Sequence, residues 1–404
     1  MILTETIEKA VLSQKNMMES QNIIRRELLE QIHLQNKLAI VISGIRRSGK
    51  STLIKTLAKS VQTFYYVSFE DPRLAGFELK DFERLEEVFT KTYGRGDYYF
   101  LDEIQVVDKW ELYVRKLLDE KKYVLITGPN ASLLSRELGT KLTGRNLRYE
   151  LFPFSFAEFL LFLRRQPSGE NFHEYLINGG FPEYLLLRDP KILQDLLIDS
   201  LFRDIAIRHK VRNVAQLQEL ALFLISNVAK EFSYNQLRTM LNLGSTNSVS
   251  QFLSFLEESY LLFPLAKFDY SLKKQLVNPK KIYVVDNGLL VHNSKSFSPD
   301  YGKLLENLVF LSLRAKQKDL FYFKEKYECD FVVREGYHIA QAYQVCYHLD
   351  DFNQEREING LTEALQKFKL QEGMILTLNQ SDILEIAGKK IIVKPVWKWL
   401  LEKT

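Results

Sequence analysis

Gly44-Ile-Arg-Arg-Ser-Gly-Lys-Ser51 has the residue types and spacing that grip a phosphate chain. Glycines at 44 and 49 let backbone N–H groups converge on an anion where side chains would obstruct them, and a helix starting at the lysine turns its own unpaired N–H groups toward the same charge. Lys50 then reaches the β and γ phosphates, and Ser51 offers a hydroxyl to magnesium. Gly44, Arg46, Arg47, Ser48, Gly49 and Thr52 complete the expected nucleotide contacts. A magnesium ion held there needs a carboxylate on its far side. Tyr98-Tyr-Phe-Leu-Asp102-Glu103, about 50 residues downstream, ends an apolar run with two acids. Asp102 suits the metal, and Glu103 suits the base that orients and deprotonates an attacking water. The expected ligands are ATP and Mg2+.

These residues need a scaffold, and the alternation of apolar runs supplies one. Strand-length runs fall at 38–43, 64–69, 98–102 and 123–127, with helical segments between them at 51–59, 80–92 and 110–119. Strands alternating with helices imply an α/β domain with a parallel sheet covered on both faces. Residues 4–35 read as helical, with Ile23, Ile24, Leu28, Leu29 and Ile32 at helical spacing. This domain is placed at residues 1–150. Residues 151–230 read as a helical lid interrupted by Gly179-Gly180-Phe181-Pro182, with Phe152, Phe154, Phe156 and Phe159 taken as core.

Taken together, the motifs resemble the AAA-type ATPases, in a prokaryotic group related to the archaeal-ATPase families. The resemblance rests on the phosphate loop, Leu101-Asp-Glu-Ile-Gln105, Ile126-Thr-Gly-Pro-Asn130, Leu142-Thr-Gly-Arg145, Pro153-Phe-Ser-Phe-Ala-Glu-Phe159 and Gly179-Gly-Phe-Pro-Glu183. It implies that Thr127 or Asn130 is a polar sensor facing the γ-phosphate. It also implies that Arg145 neutralises transition-state charge, within the subunit or across a homo-oligomer interface.

Residues 231–295 carry the order of a winged helix: helix, turn, helix, then two strands joined by a Lys-rich connection. Ser233 caps the first helix, and the second starts with Ser245, Thr246 and Asn247, followed by Ser250 and Gln251, all suited to phosphate oxygens and base edges. Lys273, Lys274, Lys280 and Lys281 flank a wing tip with no acid among residues 270–285. DNA is therefore the expected partner. A protein partner is the alternative.

From Tyr301 a helix is followed by strands near Phe321, Asp330, Ala342, Met374 and Ile391, with a helix at 355–368. Residues 296–404 thus form a third, α/β domain. It resembles the C-terminal domain that accompanies this ATPase group and is similar in plan to restriction-endonuclease-like nucleases. The resemblance assigns a metal site to a helix Glu, a strand Asp and a Glu-x-Lys pair, matched here by Glu306, Asp330, Gln344 and Cys346. The period-2 geometry of a strand puts Gln344 and Cys346 on one face. A thiol cannot replace the lysine cation, so a degenerate, nuclease-inactive site is expected.

The bulk composition agrees with a globular protein of several units: 404 residues, 46% apolar. Fifty-five Lys and Arg against 51 Asp and Glu leave a net charge of +4, too small for a whole-molecule field that draws in a polyanion. Two cysteines make no disulfide framework, and six scattered histidines have no zinc spacing. The acidic start lacks the basic and apolar regions of a signal peptide, and no apolar run is long enough to cross a bilayer. A cytoplasmic location and no membrane partner are expected.

Overall fold

The computed structural model describes residues 2–19, 24–128, 144–296 and 298–402. The chain divides into two compact units, Met1–Phe152 and Pro153–Thr404. The first boundary lies two residues beyond the expected one, and the three segments expected after residue 150 share the second unit.

The first unit runs α1 (Thr4–Glu19), β1 (Ala39–Ser43), α2 (Lys50–Ala58), β2 (Phe64–Ser68), α3 (Phe82–Tyr93), β3 (Tyr98–Asp102), α4 (Trp110–Asp119), β4 (Tyr123–Gly128) and β5 (Asn146–Glu150). Its five strands are parallel in the order β2-β3-β4-β1-β5. β1 is buried at every residue because both faces are covered. Ala39 and Val41 join one apolar cluster with residues of α1, α3 and α4, while Ile40 and Ile42 join a second with Leu53, Ile54 and Leu57 of α2. That two-sided burial is why β1 reads as a continuous apolar run without alternation.

Two expectations change here. The helix expected through residue 35 ends as α1 at Glu19, and beyond it the described chain makes only a 3-10 turn, Glu27–Glu30. Arg26 is extended at φ −87° and ψ 142°, which the demands on its side chain explain below. β5 was not expected at all, since Asn-Leu-Arg-Tyr-Glu is a polar edge strand with no fully buried residue.

The second unit opens with helices Phe156–Leu163, Gly169–Asn178, Pro182–Leu187 and Lys191–Asp199, continues through a π-helical stretch Ser200–Ile207, and reaches Val214–Ser226. Next come β6 (Glu231–Phe232), helices Tyr234–Met240 and Thr246–Glu258, β7 (Leu262–Ala266), a short helix Leu272–Val277 and β8 (Lys280–Val284). These three strands form an antiparallel sheet in the order β6-β8-β7. The Lys-rich connection therefore holds a helical turn where an open tip was expected.

Helix Tyr301–Ala315 leads into β9 (Asp319–Lys324), β10 (Glu328–Glu335), β11 (His338–Val345), helix Gln354–Lys367, β12 (Glu372–Thr377), β13 (Asp382–Ile386) and β14 (Lys389–Pro395). The sheet order is β13-β14-β12-β11-β10-β9. The two sheets meet: Lys267 bridges Tyr322 of β9, and the Phe268 N–H donates to the Tyr322 carbonyl at 2.7 Å. Buried amides add to the join. Asn307 donates to the Val284 and Asn287 oxygens at 2.9 Å, and Asn287 donates to the carbonyls of Leu176 and Leu304 at 2.8 and 2.9 Å.

Candidate functional site

The phosphate loop leaves β1 at Ser43 and enters α2 at Lys50, so it lies at the carboxyl end of the parallel sheet. Gly44 has no alternative, because a Cβ there would lie 2.2 Å from the Leu151 carbonyl oxygen. Lys50 is buried, and its ammonium donates to the carbonyls of Gly44 and Ile45 at 3.1 and 3.2 Å. These bonds curl the lysine over its own loop, 3.8 Å from Glu103 Oε1. Ser48 is fully buried, and its Oγ has no hydrogen-bond partner among the described residues. Ser51 is half-buried and Thr52 exposed on the first turn of α2. Arg46 reaches Glu70 at 3.3 Å, and Arg47 is exposed with a left-handed φ of 64°.

β3 and β4 bring the acids alongside. Asp102, the last residue of β3, receives the Thr127 hydroxyl on Oδ1 and the Tyr66 hydroxyl on Oδ2, the latter at 3.3 Å. Thr127 Oγ1 in turn accepts the Glu103 N–H at 3.0 Å. Glu103 sits at φ 52° and ψ 41°, a costly conformation for a residue with a side chain. Gln105 Nε2 donates to Glu103 Oε2 at 2.5 Å. Burial pushes the Glu103 carboxyl upward, against the pull of Lys50, which favours a group that takes up a proton.

Thus Gly44, Ser48, Gly49, Lys50, Asp102, Glu103 and Thr127 come together. Thr127 faces the two acids with both hydrogen-bonding roles of its hydroxyl used, rather than standing free as a phosphate sensor. The alternative sensor, Asn130, lies outside the described residues. Arg145 is not brought to the cluster. Its carbonyl accepts the Ala39 N–H at 3.0 Å, at the opposite end of β1 from the loop, and its guanidinium pairs with Asp119 at 2.6 Å.

Sequence reasoning missed Arg26, Tyr66 and the role of Gln105. Arg26 is buried and donates to the Ser48 carbonyl at 2.8 Å and to the Phe152 carbonyl at 2.7 Å. Its only sequence signal was a basic pair inside a stretch that read as helix.

In the second unit, Ser245 caps helix Thr246–Glu258 by accepting the Ser248 N–H at 3.1 Å, while Thr246 and Asn247 are exposed. Lys273 and Lys274 are exposed, with Lys274 3.8 Å from Asp269. Lys280 is half-buried and donates to the Leu276 carbonyl at 3.0 Å. Lys281 corrects the expectation of a phosphate contact. It is 2% exposed, and its ammonium lies 3.0 Å from Glu306, 2.9 Å from Asp330 and 2.8 Å from Glu328. The alternation of β8 turns it inward while its neighbour faces out. Burial opposes its charge, but Glu306 and Asp330, then Tyr283 and Glu328, hold its pKa well above the ordinary lysine value.

Glu306 and Asp330 do converge, with Lys281 between them. Burial and then Asp330 raise Glu306 to about 7. Gln344 accepts the Asp330 N–H at 3.3 Å and donates to Glu357 at 2.6 Å, so Glu357 is a buried acid the sequence did not single out. Cys346 lies on the same side of the sheet as Gln344, as expected: both meet helix Gln354–Lys367, Gln344 through Glu357 and Cys346 beside Ile358 and Leu361. β11 ends at Val345, and the Cys346 N–H pairs with the Leu376 carbonyl at 3.1 Å. Its side chain joins the apolar cluster with Ile358 and Leu361, and burial pushes the thiol up to about 12. Among the described residues, no group of three or more His, Cys, Asp and Glu is placed to hold a metal ion. Nor is any helix there long and apolar enough to cross a membrane.

Residues 36–160 match the family described as AAA domain, and residues 169–300 match a domain of unknown function (DUF8612). The chain is 33% identical over 426 aligned residues to the uncharacterized protein MJ1544 of Methanocaldococcus jannaschii, covering 98% of this chain and 95% of that one. An uncharacterized protein of Haemophilus influenzae is 29% identical over 384 residues, covering 90% and 94%. Among solved structures, the replication initiator DnaA bound to AMPPCP and single-stranded DNA aligns at 16% identity and a TM-score of 0.30, over 57% of this chain and 85% of that one. The chain therefore belongs to the family of the Methanocaldococcus jannaschii protein MJ1544, with an AAA-type ATPase domain as its N-terminal part.

Proposed function

We propose that the chain is a magnesium-dependent ATPase that couples ATP binding and hydrolysis to conformational change on DNA. The observation that carries this reading is the buried assembly of Lys50, Asp102, Glu103 and Thr127 at the mouth of the phosphate loop. Lys50 meets the β and γ phosphates, exchanging its bonds to the Gly44 and Ile45 carbonyls for phosphate oxygens. Glu103 accepts a proton from the attacking water. The cradle at Gly44, the Ser48 hydroxyl with no partner among the described residues, and the chemistry of the Ser51 hydroxyl and the Asp102 carboxylate fit a nucleotide with its cation. Ser51 and Asp102 would hold the magnesium ion, which would supply charge neutralisation for the phosphates. Arg145, remote from the loop of its own chain, acts across a homo-oligomer interface in this reading.

We further read residues 231–295 as a winged helix, supported by the strand-helix-helix-strand order from β6 to β7, the return of β8 after the short helix Leu272–Val277, and the β6-β8-β7 sheet. Ser245, Thr246, Asn247, Lys273 and Lys274 are then its DNA contacts, with Lys280 at their edge. The segment 301–377 has the helix, three antiparallel strands, helix and parallel strand that support a restriction-endonuclease-like plan. A second reading, a nucleotide switch that binds protein partners, is favoured by the exposed apolar side chains beside the wing lysines: Tyr270, Leu272, Leu276 and Val277 are 72–77% exposed.

ATP hydrolysis measured with and without magnesium, and with duplex, branched and single-stranded DNA, separates these readings. The ATPase reading expects magnesium-dependent turnover lost in Lys50→Ala; stimulation by DNA supports the first reading. Turnover that responds to a protein partner and ignores every DNA supports the second. Wild-type turnover in Lys50→Ala sinks the site.

A further inference from the structure

The residues just before the unit boundary are laced to the phosphate loop. The Leu151 N–H donates to the Ser43 carbonyl at 2.7 Å, and the Leu151 carbonyl lies against Gly44 with no room for a Cβ. Arg26 then spans the loop and the chain's exit. One arm of its guanidinium holds the Ser48 carbonyl and the other holds the carbonyl of Phe152, the last residue of the first unit. A planar fork with donors at fixed angles ties two carbonyls more rigidly than an ammonium can.

The residues just after the boundary are equally fixed within their own unit. The Phe154 N–H donates to the Gly180 carbonyl at 2.8 Å, and the Phe154 carbonyl accepts the Tyr175 hydroxyl at 2.8 Å. Gly180 has no space for a side chain, since a Cβ would lie 2.2 Å from the Phe154 oxygen. The Gly180 N–H is in turn held by the buried carboxyl of Asp286 at 2.7 Å. Only Pro153 separates Phe152 from Phe154, and its ring removes one of the two soft backbone torsions.

We propose that Arg26 is a positioning residue that couples nucleotide occupancy of the phosphate loop to the chain's passage into the second unit at Pro153. The proposal rests on the nucleotide reading above. When phosphate draws the loop amides inward, the Ser48 carbonyl moves with its peptide. Arg26 carries that displacement to Phe152, and Pro153, whose φ is fixed, leaves few torsions to take it up before Phe154. The strand end and the Gly179-Gly180 turn receive the motion as a shift of their anchoring hydrogen bonds.

The test uses the full chain, a fluorescent ATP analogue to measure affinity, and hydrogen exchange across residues 153–187 with and without a saturating non-hydrolysable ATP analogue and magnesium. Wild type is expected to bind and to change its exchange in that segment. Arg26→Ala should bind about tenfold more weakly, the cost of a charge-assisted hydrogen bond, yet show no nucleotide-induced change in 153–187 once saturated. Arg26→Lys should recover part of the lost affinity but not the change in 153–187, since an ammonium reaches one carbonyl and not both. Pro153→Gly, which leaves both anchors intact and inserts a flexible point, should bind as wild type and lose the change. The last two variants carry the test if Arg26→Ala does not fold. A full wild-type change in saturated Arg26→Ala, or in Arg26→Lys and Pro153→Gly together, overturns the coupling. Failure of wild type to bind any nucleotide removes the nucleotide reading and the coupling with it. Binding without a change in 153–187 removes the coupling alone.

Discussion

The Thr127 hydroxyl gives its hydrogen to Asp102 Oδ1 while accepting the backbone N–H of Glu103 at 3.0 Å, so one side chain on β4 orients both acids at the end of β3. Removing it leaves a buried carboxylate and a buried N–H short of a partner. Thr127→Val should lower ATP turnover by at least about tenfold, the equivalent of one hydrogen bond to a charged group, while Thr127→Ser keeps most of the rate. Steady-state ATPase assays on the two variants check this. Equal rates in Thr127→Val and wild type would show that the acids hold their positions unaided.

Glu103 is buried beside Lys50 with a carboxyl shifted toward proton uptake. Glu103→Gln keeps the shape and loses the base, so nucleotide should remain bound while hydrolysis slows by about 10²–10⁴. Affinity measured with a fluorescent analogue and single-turnover rates separate the two effects. Affinity and rate falling together would make Glu103 a ligand or a structural group.

Lys281 and the outward lysines should behave in opposite ways. Lys281→Met leaves Glu306, Asp330 and Glu328 without their shared cation, which should destabilise the chain by about 3–5 kcal/mol in denaturant titrations. Lys273→Ala and Lys274→Ala should leave stability unchanged. If the wing meets DNA phosphates, each should lower the log-log salt slope of duplex binding by about 0.9. A Lys281→Met chain as stable as wild type would mean that the acids are protonated or solvated without it.

Asp286 gives a pH dependence with a definite sign. Burial raises its carboxyl from 3.8 to about 6, against the N–H groups of Gly180, Leu289 and Gly288. The folded state then binds the proton more tightly than the unfolded chain, so this group's contribution to stability is full below about pH 4 and declines as pH rises to about 6. The stability of wild type relative to Asp286→Asn should therefore fall across that window. A difference that is flat between pH 4 and 6 would place the Asp286 carboxyl back at its ordinary value.

Purified protein should show no magnesium-dependent DNA cleavage with or without ATP. The cation between Glu306 and Asp330 is the Lys281 ammonium, and the Cys346 thiol is neutral and turned into an apolar cluster. Cleavage that disappears in Asp330→Ala would show that the acids can still work as a nuclease.

The amino-acid sequence by itself determined what local chemistry can determine. The loop from Gly44 to Ser51, the apolar run ending in Asp102-Glu103 and the alternation of strands with helices are contiguous patterns, and each reads out at short range. The same holds for the strand positions around Phe321, Asp330, Ala342, Met374 and Ile391. Relations between residues far apart in the chain were not legible. Arg26 looked like part of an amphipathic helix, since nothing local reveals that two carbonyls 22 and 126 residues away claim its guanidinium. Lys281 looked like one of four wing lysines, and only the side on which β8 meets helix Tyr301–Ala315 and β10 turned it into a buried counter-ion. β5 escaped notice because a half-buried edge strand needs no apolar run. A side chain's burial and partners are set by which elements the fold brings to it, and sequence spacing carries that information only along one helix or one strand.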